Sequence, residues 1–161
     1  MIKPILVFML IIVFLFGECT AEKVDMNLIQ ERYRGYEQEL AAMSPDLHIF
    51  SSDDVCQDGC YYMYYSLLLK GKSYYLKFKC TAGGRETLEI ELGDIRSSAM
   101  DERLHFFAEL IDKFGETGKT FNEIEAACHE ALNEKYFRFN RNSYLEVDEL
   151  FDSLRYRKKR Q

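Results

Sequence analysis

From Tyr61 to Leu92 the chain keeps a period of two. Met63, Tyr65, Leu67 and Leu69, then Tyr74, Leu76, Phe78 and Cys80, then Leu88, Ile90 and Leu92 are apolar or aromatic at every second position, with glycine breaks at Gly71 and Gly83-Gly84. Only a β-strand returns a side chain to the same face every second residue, so the run reads as three antiparallel strands that bury one common face. The alternate positions carry Tyr62, Tyr64, Tyr75, Lys77, Lys79, Glu89 and Glu91, a surface made for water or a partner.

Two loops set the expected registers. A two-residue turn on Gly71-Lys72, with glycine leading as a II′ turn prefers, pairs Leu69 with Tyr74, Leu67 with Leu76, Tyr65 with Phe78 and Met63 with Cys80. A three-residue loop on Gly83-Gly84-Arg85 pairs Leu76 with Leu92, Phe78 with Ile90 and Cys80 with Leu88. On the other face it sets Lys77 against Glu91 and Lys79 against Glu89. Leu47 to Phe50 reads as a short fourth strand.

Helical periodicity flanks this meander. Ile29, Tyr33, Tyr36, Leu40 and Met43 line one face over 26–43, stopped by Ser44-Pro45. Three helices are predicted after the sheet, at about 98–114, 120–135 and 143–158, the last two opening with the capping-box spacings Thr120/Glu123 and Ser143/Glu146. Val147, Leu150, Phe151 and Leu154 supply the apolar face of the last one. Between the first two lies Gly-Glu-Thr-Gly-Lys-Thr, 115–120, most of a phosphate-binding loop. A true P-loop needs a leading glycine, where this chain has Lys113, and a strand before it, where this chain has a helix. The stretch is read as a helix-to-helix turn with Gly115 as a C-cap. The fold class predicted is α+β: an N-terminal helix, an antiparallel three- to four-stranded β-meander, and three C-terminal helices packed on one sheet face.

An unbroken apolar run from Ile5 to Phe16 behind Lys3 has the pattern of a signal peptide, with cleavage expected after Ala21, or alternatively after Cys19; retention as a membrane anchor is the other reading. Residues 22–154 are then one acidic, disulfide-bonded domain and 155–161 a basic tail. Either cleavage removes Cys19 and leaves Cys56, Cys60, Cys80 and Cys128, an even set in a chain bound for an oxidising compartment. The expected pairs are Cys80–Cys128, from sheet face to covering helix, and Cys56–Cys60 across a tight turn. The whole chain has 21 basic and 27 acidic side chains. Five basic ones, Arg155, Arg157, Lys158, Lys159 and Arg160, crowd the end and leave the body acidic, which argues against nucleic acid as the partner.

Catalytic signatures are missing. Cys56 and Cys60 are spaced C-x3-C, unlike a zinc knuckle. Cys128 and His129 are helix neighbours that diverge by about 100°, and no serine stands in G-x-S-x-G. No cofactor, metal or catalytic residue is predicted. A helix followed by an antiparallel meander in a secreted domain resembles the cystatin arrangement, with Lys70-Gly71-Lys72-Ser73 where that family presents an inhibitory loop. The likeness is one of architecture, which implies protease inhibition; the family's Q-x-V-x-G is absent at that hairpin and the chain has no tryptophan. The expectation is a secreted, non-enzymatic binding or effector protein, acting on an extracellular protein or glycan through Tyr62, Tyr64, Tyr75, Lys77 and Lys79. It calls for no stable membrane insertion once the signal is removed. The competing reading is a secreted hydrolase using carboxylates or a histidine.

Overall fold

The computed structural model describes residues 24–96 and 100–160; the signal segment read over 1–21 lies outside them. The chain runs α1 (Met26–Ala41), β1 (Leu47–Val55), β2 (Tyr61–Leu69), β3 (Lys72–Cys80), β4 (Glu86–Gly93), α2 (Met100–Phe114), α3 (Phe121–Glu134), β5 (Tyr136–Asn140), β6 (Ser143–Asp148) and β7 (Ser153–Arg160). The seven strands form one antiparallel sheet in the order β1-β2-β3-β4-β7-β6-β5. Tyr33 and Leu40 of α1, Leu104, Phe107 and Ile111 of α2, and Ile124, Cys128 and Ala131 of α3 share a single core with Tyr65, Leu76, Phe78, Ile90, Leu154 and Tyr156 of the sheet. Among the described residues the helices therefore cover one sheet face, and the other carries none.

The expected third C-terminal helix does not exist; its residues are β6, a turn and β7. Val147, Leu150, Phe151 and Leu154 do follow helical spacing, but Leu150 is 85% and Phe151 63% exposed, at the tip of the turn. Asp148 shapes that turn, its Oδ1 accepting from the N–H groups of Leu150 and Phe151 at 3.0 and 3.2 Å. Beyond it Leu154 and Tyr156 alternate with Arg155 and Arg157, a strand pattern with one buried face. Tertiary pairing decides between the two periods, because β7 covers the edge that β4 would otherwise leave open. The basic run at the end of the chain thus lies inside the sheet, between β4 and β6.

The meander faces are as expected, but both hairpin registers differ from expectation by two residues. Lys70 and Gly71 both have positive φ, 49° and 74°, as a type I′ turn requires, so Leu69 pairs with Lys72. The next loop is five residues long and closes by Thr81 N–H to Arg85 O at 2.9 Å, pairing Cys80 with Glu86. A shift of two keeps every side chain on its face and changes its neighbour. One consequence is that Glu86 falls on the helix side, where it accepts from Tyr33 Oη at 2.8 Å and pairs with Arg32. That contact and burial raise the Tyr33 phenol well above its ordinary pKa, burial being the larger cause.

Around 115–120 the helix-to-helix turn is as read. Thr120 caps α3 with its hydroxyl accepting from Glu123 N–H at 3.4 Å, while Glu123 accepts from Thr120 N–H at 2.9 Å, and Lys119 pairs with Glu123 at 3.2 Å. Gly115 is buried after the last residue of α2, and Tyr156 Oη donates to its carbonyl at 2.8 Å. A Cβ there would lie 2.5 Å from Ile111 O and 3.0 Å from Tyr156 Oη, so glycine is required by space.

The expected disulfides are absent: Cys56, Cys60, Cys80 and Cys128 are free thiols. The Cys80–Cys128 bond needed α3 over β3. Instead α3 packs on α2, β5 and β6, and the end of β3 lies under α1, where the Tyr33 ring packs at 5.2 Å on Phe78, tilted by 37°. At the other pair, the Cys56 N–H donates to Cys60 O at 2.8 Å and the backbone closes the turn, while Cys56 Sγ faces Asp54 Oδ2 at 4.0 Å. Burial pushes the Cys128 thiol up to about 12 and raises that of Cys80.

Candidate binding face

The five residues singled out from sequence lie together on the helix-free face. β2 supplies Tyr62 and Tyr64; β3 supplies Tyr75, Lys77 and Lys79. The true register sets Tyr62 directly across from Lys79 and Tyr64 from Lys77. The Tyr62 and Tyr64 rings stack at 6.0 Å, inclined by 12°. Lys77 Nζ stands 5.0 Å from the Tyr62 ring centre and 5.5 Å from that of Tyr64, and Lys79 Nζ 5.1 Å from that of Tyr62. These are cation–π distances, and they spread each ammonium flat along the sheet. The interaction with Tyr62 is the largest cause that raises the Lys79 pKa, so Lys79 is charged throughout the physiological range. Tyr75 is 46% exposed and sits between Ser66 and Glu91.

The expected neutralisation of these lysines by Glu89 and Glu91 does not occur. Both glutamates turn to β7, the strand misread as a helix. Arg157 Nε donates to Glu89 at 2.8 Å and its other end pairs with Glu146 at 2.7 Å. Arg155 joins Glu91 at 3.1 Å to Asp148 at 2.6 Å. Each arginine bridges two carboxylates, so this part of the face is electrically satisfied. On the helix side Lys158 pairs with Glu116, and Arg160 donates to Phe114 O at 2.7 Å. Lys77, Lys79 and Lys159 have no carboxylate within ion-pair distance among the described residues. Asp58 and Cys60 act on Lys79 only through space.

Cross-strand pairing places these three lysines in one neighbourhood. Tyr62, Lys79, Thr87 and Lys159 form one transverse row; Tyr64, Lys77, Glu89, Arg157 and Tyr144 form the next. Between the rows is a shallow cleft of about 280 Å³ lined by Lys77, Lys79, Thr87, Tyr144, Arg157 and Lys159, among others, and by Glu89, whose carboxylate is held by Arg157. Sequence reasoning missed Thr87, Tyr144, Arg157 and Lys159. The alternation of Leu154 and Tyr156 with Arg155 and Arg157 was the available signal for β7.

The three histidines lie on different elements. His48 is on edge strand β1, His105 on α2 and His129 on α3. His105 Nδ1 lies 2.7 Å from Glu125 Oε1 and its ring packs on Phe121, an exposed surface pair. Among the described residues no group of three or more His, Cys, Asp or Glu side chains could hold a metal ion, and no helix is long and apolar enough to cross a membrane. No family model matches this chain, and no curated protein and no solved structure is significantly similar to it.

Proposed function

We propose that this chain is a secreted binding or effector protein that engages an extracellular partner through the helix-free sheet face, without catalytic turnover. One observation carries the reading. Among the described residues the sheet spends its apolar side on three helices and leaves the other side open. There, tyrosines from β2 and lysines from β3 are paired in register and preset by cation–π contact. Tyrosine offers broad contact area with few rotatable bonds, so such a face loses little side-chain entropy on binding.

The test is a survey of purified residues 22–161 against extracellular glycans and receptor ectodomains, with the Tyr62→Ser/Tyr64→Ser/Tyr75→Ser variant beside the parent. The parent should capture a partner and the variant lose it with an unchanged circular dichroism spectrum. Equal binding by both removes the sheet face, and time-dependent conversion of the bound molecule removes the non-enzymatic reading.

A further inference from the structure

The cleft across β3, β4 and β7 has a charge pattern that names a ligand class. We infer that Lys77, Lys79 and Lys159 form a binding site for a sulfated glycan, which gives the proposed binding face its chemical class and rests on that proposal. The chain as a whole is acidic, −6 at neutral pH, and its arginines in β7 are each held by two carboxylates. Against that background three lysines with no ion-pair partner among the described residues stand at one end of an open sheet. Along the backbone Lys77 and Lys79 are two residues apart on β3, about 7 Å, and Lys159 is two strands from Lys79, about 10 Å across. The Lys77 and Lys79 ammonium groups lean toward β2, over Tyr62 and Tyr64, so a ligand that meets all three charges has the length of a short oligosaccharide. Thr87, exposed between Lys79 and Lys159, adds a hydroxyl, and Tyr144 adds a second aromatic flank.

The geometry distinguishes among polyanions. An acidic peptide joining the sheet by strand addition would use β1 or β5, the two edges, while the lysines are on interior strands whose backbone groups are already paired. A ligand here is held by side chains alone. An anionic bilayer pressed on this face would gain little farther along it, where Arg155 and Arg157 are already held by Glu91, Asp148, Glu89 and Glu146. Sulfate esters on a sugar chain fit the local charge, and the sugar rings have tyrosine surfaces to lie against.

The experiment measures binding of residues 22–161 to an immobilised heparin oligosaccharide at low and at physiological salt. Fully desulfated heparin, a poly-glutamate peptide and phosphatidylserine vesicles serve as comparison probes. The parent should bind heparin in a salt-sensitive manner and desulfated heparin not at all. Lys77→Gln/Lys79→Gln/Lys159→Gln should weaken binding by about tenfold or more. A variant that removes the same charge elsewhere, Lys70→Gln/Lys72→Gln/Arg141→Gln, should bind as the parent does. The inference is overturned by no heparin binding, by equal loss in the two triple variants, or by poly-glutamate or vesicles binding as tightly as heparin. If the parent captures an uncharged partner that the tyrosine variant loses and the lysine variant keeps, the binding face stands and its sulfated-glycan ligand does not.

Discussion

Tyr62 and Lys79 face each other directly across β2 and β3, with the ammonium 5.1 Å from the ring centre. This pairing follows from the I′ turn at Lys70-Gly71. A II′ turn one residue later would have kept both side chains on the same face while matching Lys79 with Tyr64. The turn therefore decides which ring supports which charge. Gly71→Ala should strain that turn, since φ is 74° there, and lower stability by about 1 kcal/mol in chemical denaturation. A stability equal to the parent's would show that the hairpin does not depend on this turn.

The cysteines give a prediction independent of function. Residues 22–161, purified without reductant and unfolded in denaturant, should titrate four thiols with a chromogenic disulfide reagent. In the native protein Cys56, which is half-buried, should react first, and Cys60, Cys80 and Cys128, all buried, should lag far behind. A count of two or none after unfolding would show that the thiols are bonded.

Alkaline stability follows from the same burial. The Cys128 thiol is pushed from 9.0 to about 12, and burial moves the Tyr61 and Tyr156 phenols from 10.0 to about 12. These folded-state values lie above the unfolded ones. Stability is therefore whole below pH 9 and is lost as pH rises toward 12, because the unfolded chain releases protons that the fold retains. Cys128 alone contributes a loss on the order of 4 kcal/mol over that range. Denaturant midpoints should fall steadily above pH 9, and Cys128→Ala should flatten the first part of the decline. An unchanged slope in the variant would place the thiol in contact with water.

The two ends of the P-loop-like stretch, Gly115 and Thr120, carry structural roles. Thr120→Ala should cost about 1 kcal/mol by removing the α3 cap. Gly115→Ala should cost about 2 kcal/mol, because its methyl group would collide with Ile111 O. Thermal denaturation reads both, and a neutral Gly115→Ala would mean that the turn can move away.

Local chemistry made much of this legible. Glu123 three residues after Thr120 marked the start of α3, and alternation from Met63 to Leu92 marked the faces of β2, β3 and β4. What failed was long-range. Val147, Leu150, Phe151 and Leu154 satisfy a helical period by coincidence, and only the open edge of β4 prefers them as a hairpin. That error hid Tyr144, Arg157 and Lys159 of the candidate site, which come from β6 and β7. It also assigned Glu89 and Glu91 to the lysines when Arg155 and Arg157 hold them. The disulfide expectation failed for a similar reason: the helical face of Cys128 was correctly read, but not the strands it covers.

The central claim is that the helix-free face is the contact surface. Hydroxyl-radical footprinting with and without a captured extracellular partner tests it directly, since tyrosine oxidation reports on ring exposure. Tyr62, Tyr64 and Tyr75 on the open face should be protected, with His129 on α3 and Leu150 at the β6–β7 turn unchanged. Protection confined to His129, or to Leu150 and Phe151, with the three tyrosines still oxidised, would contradict it.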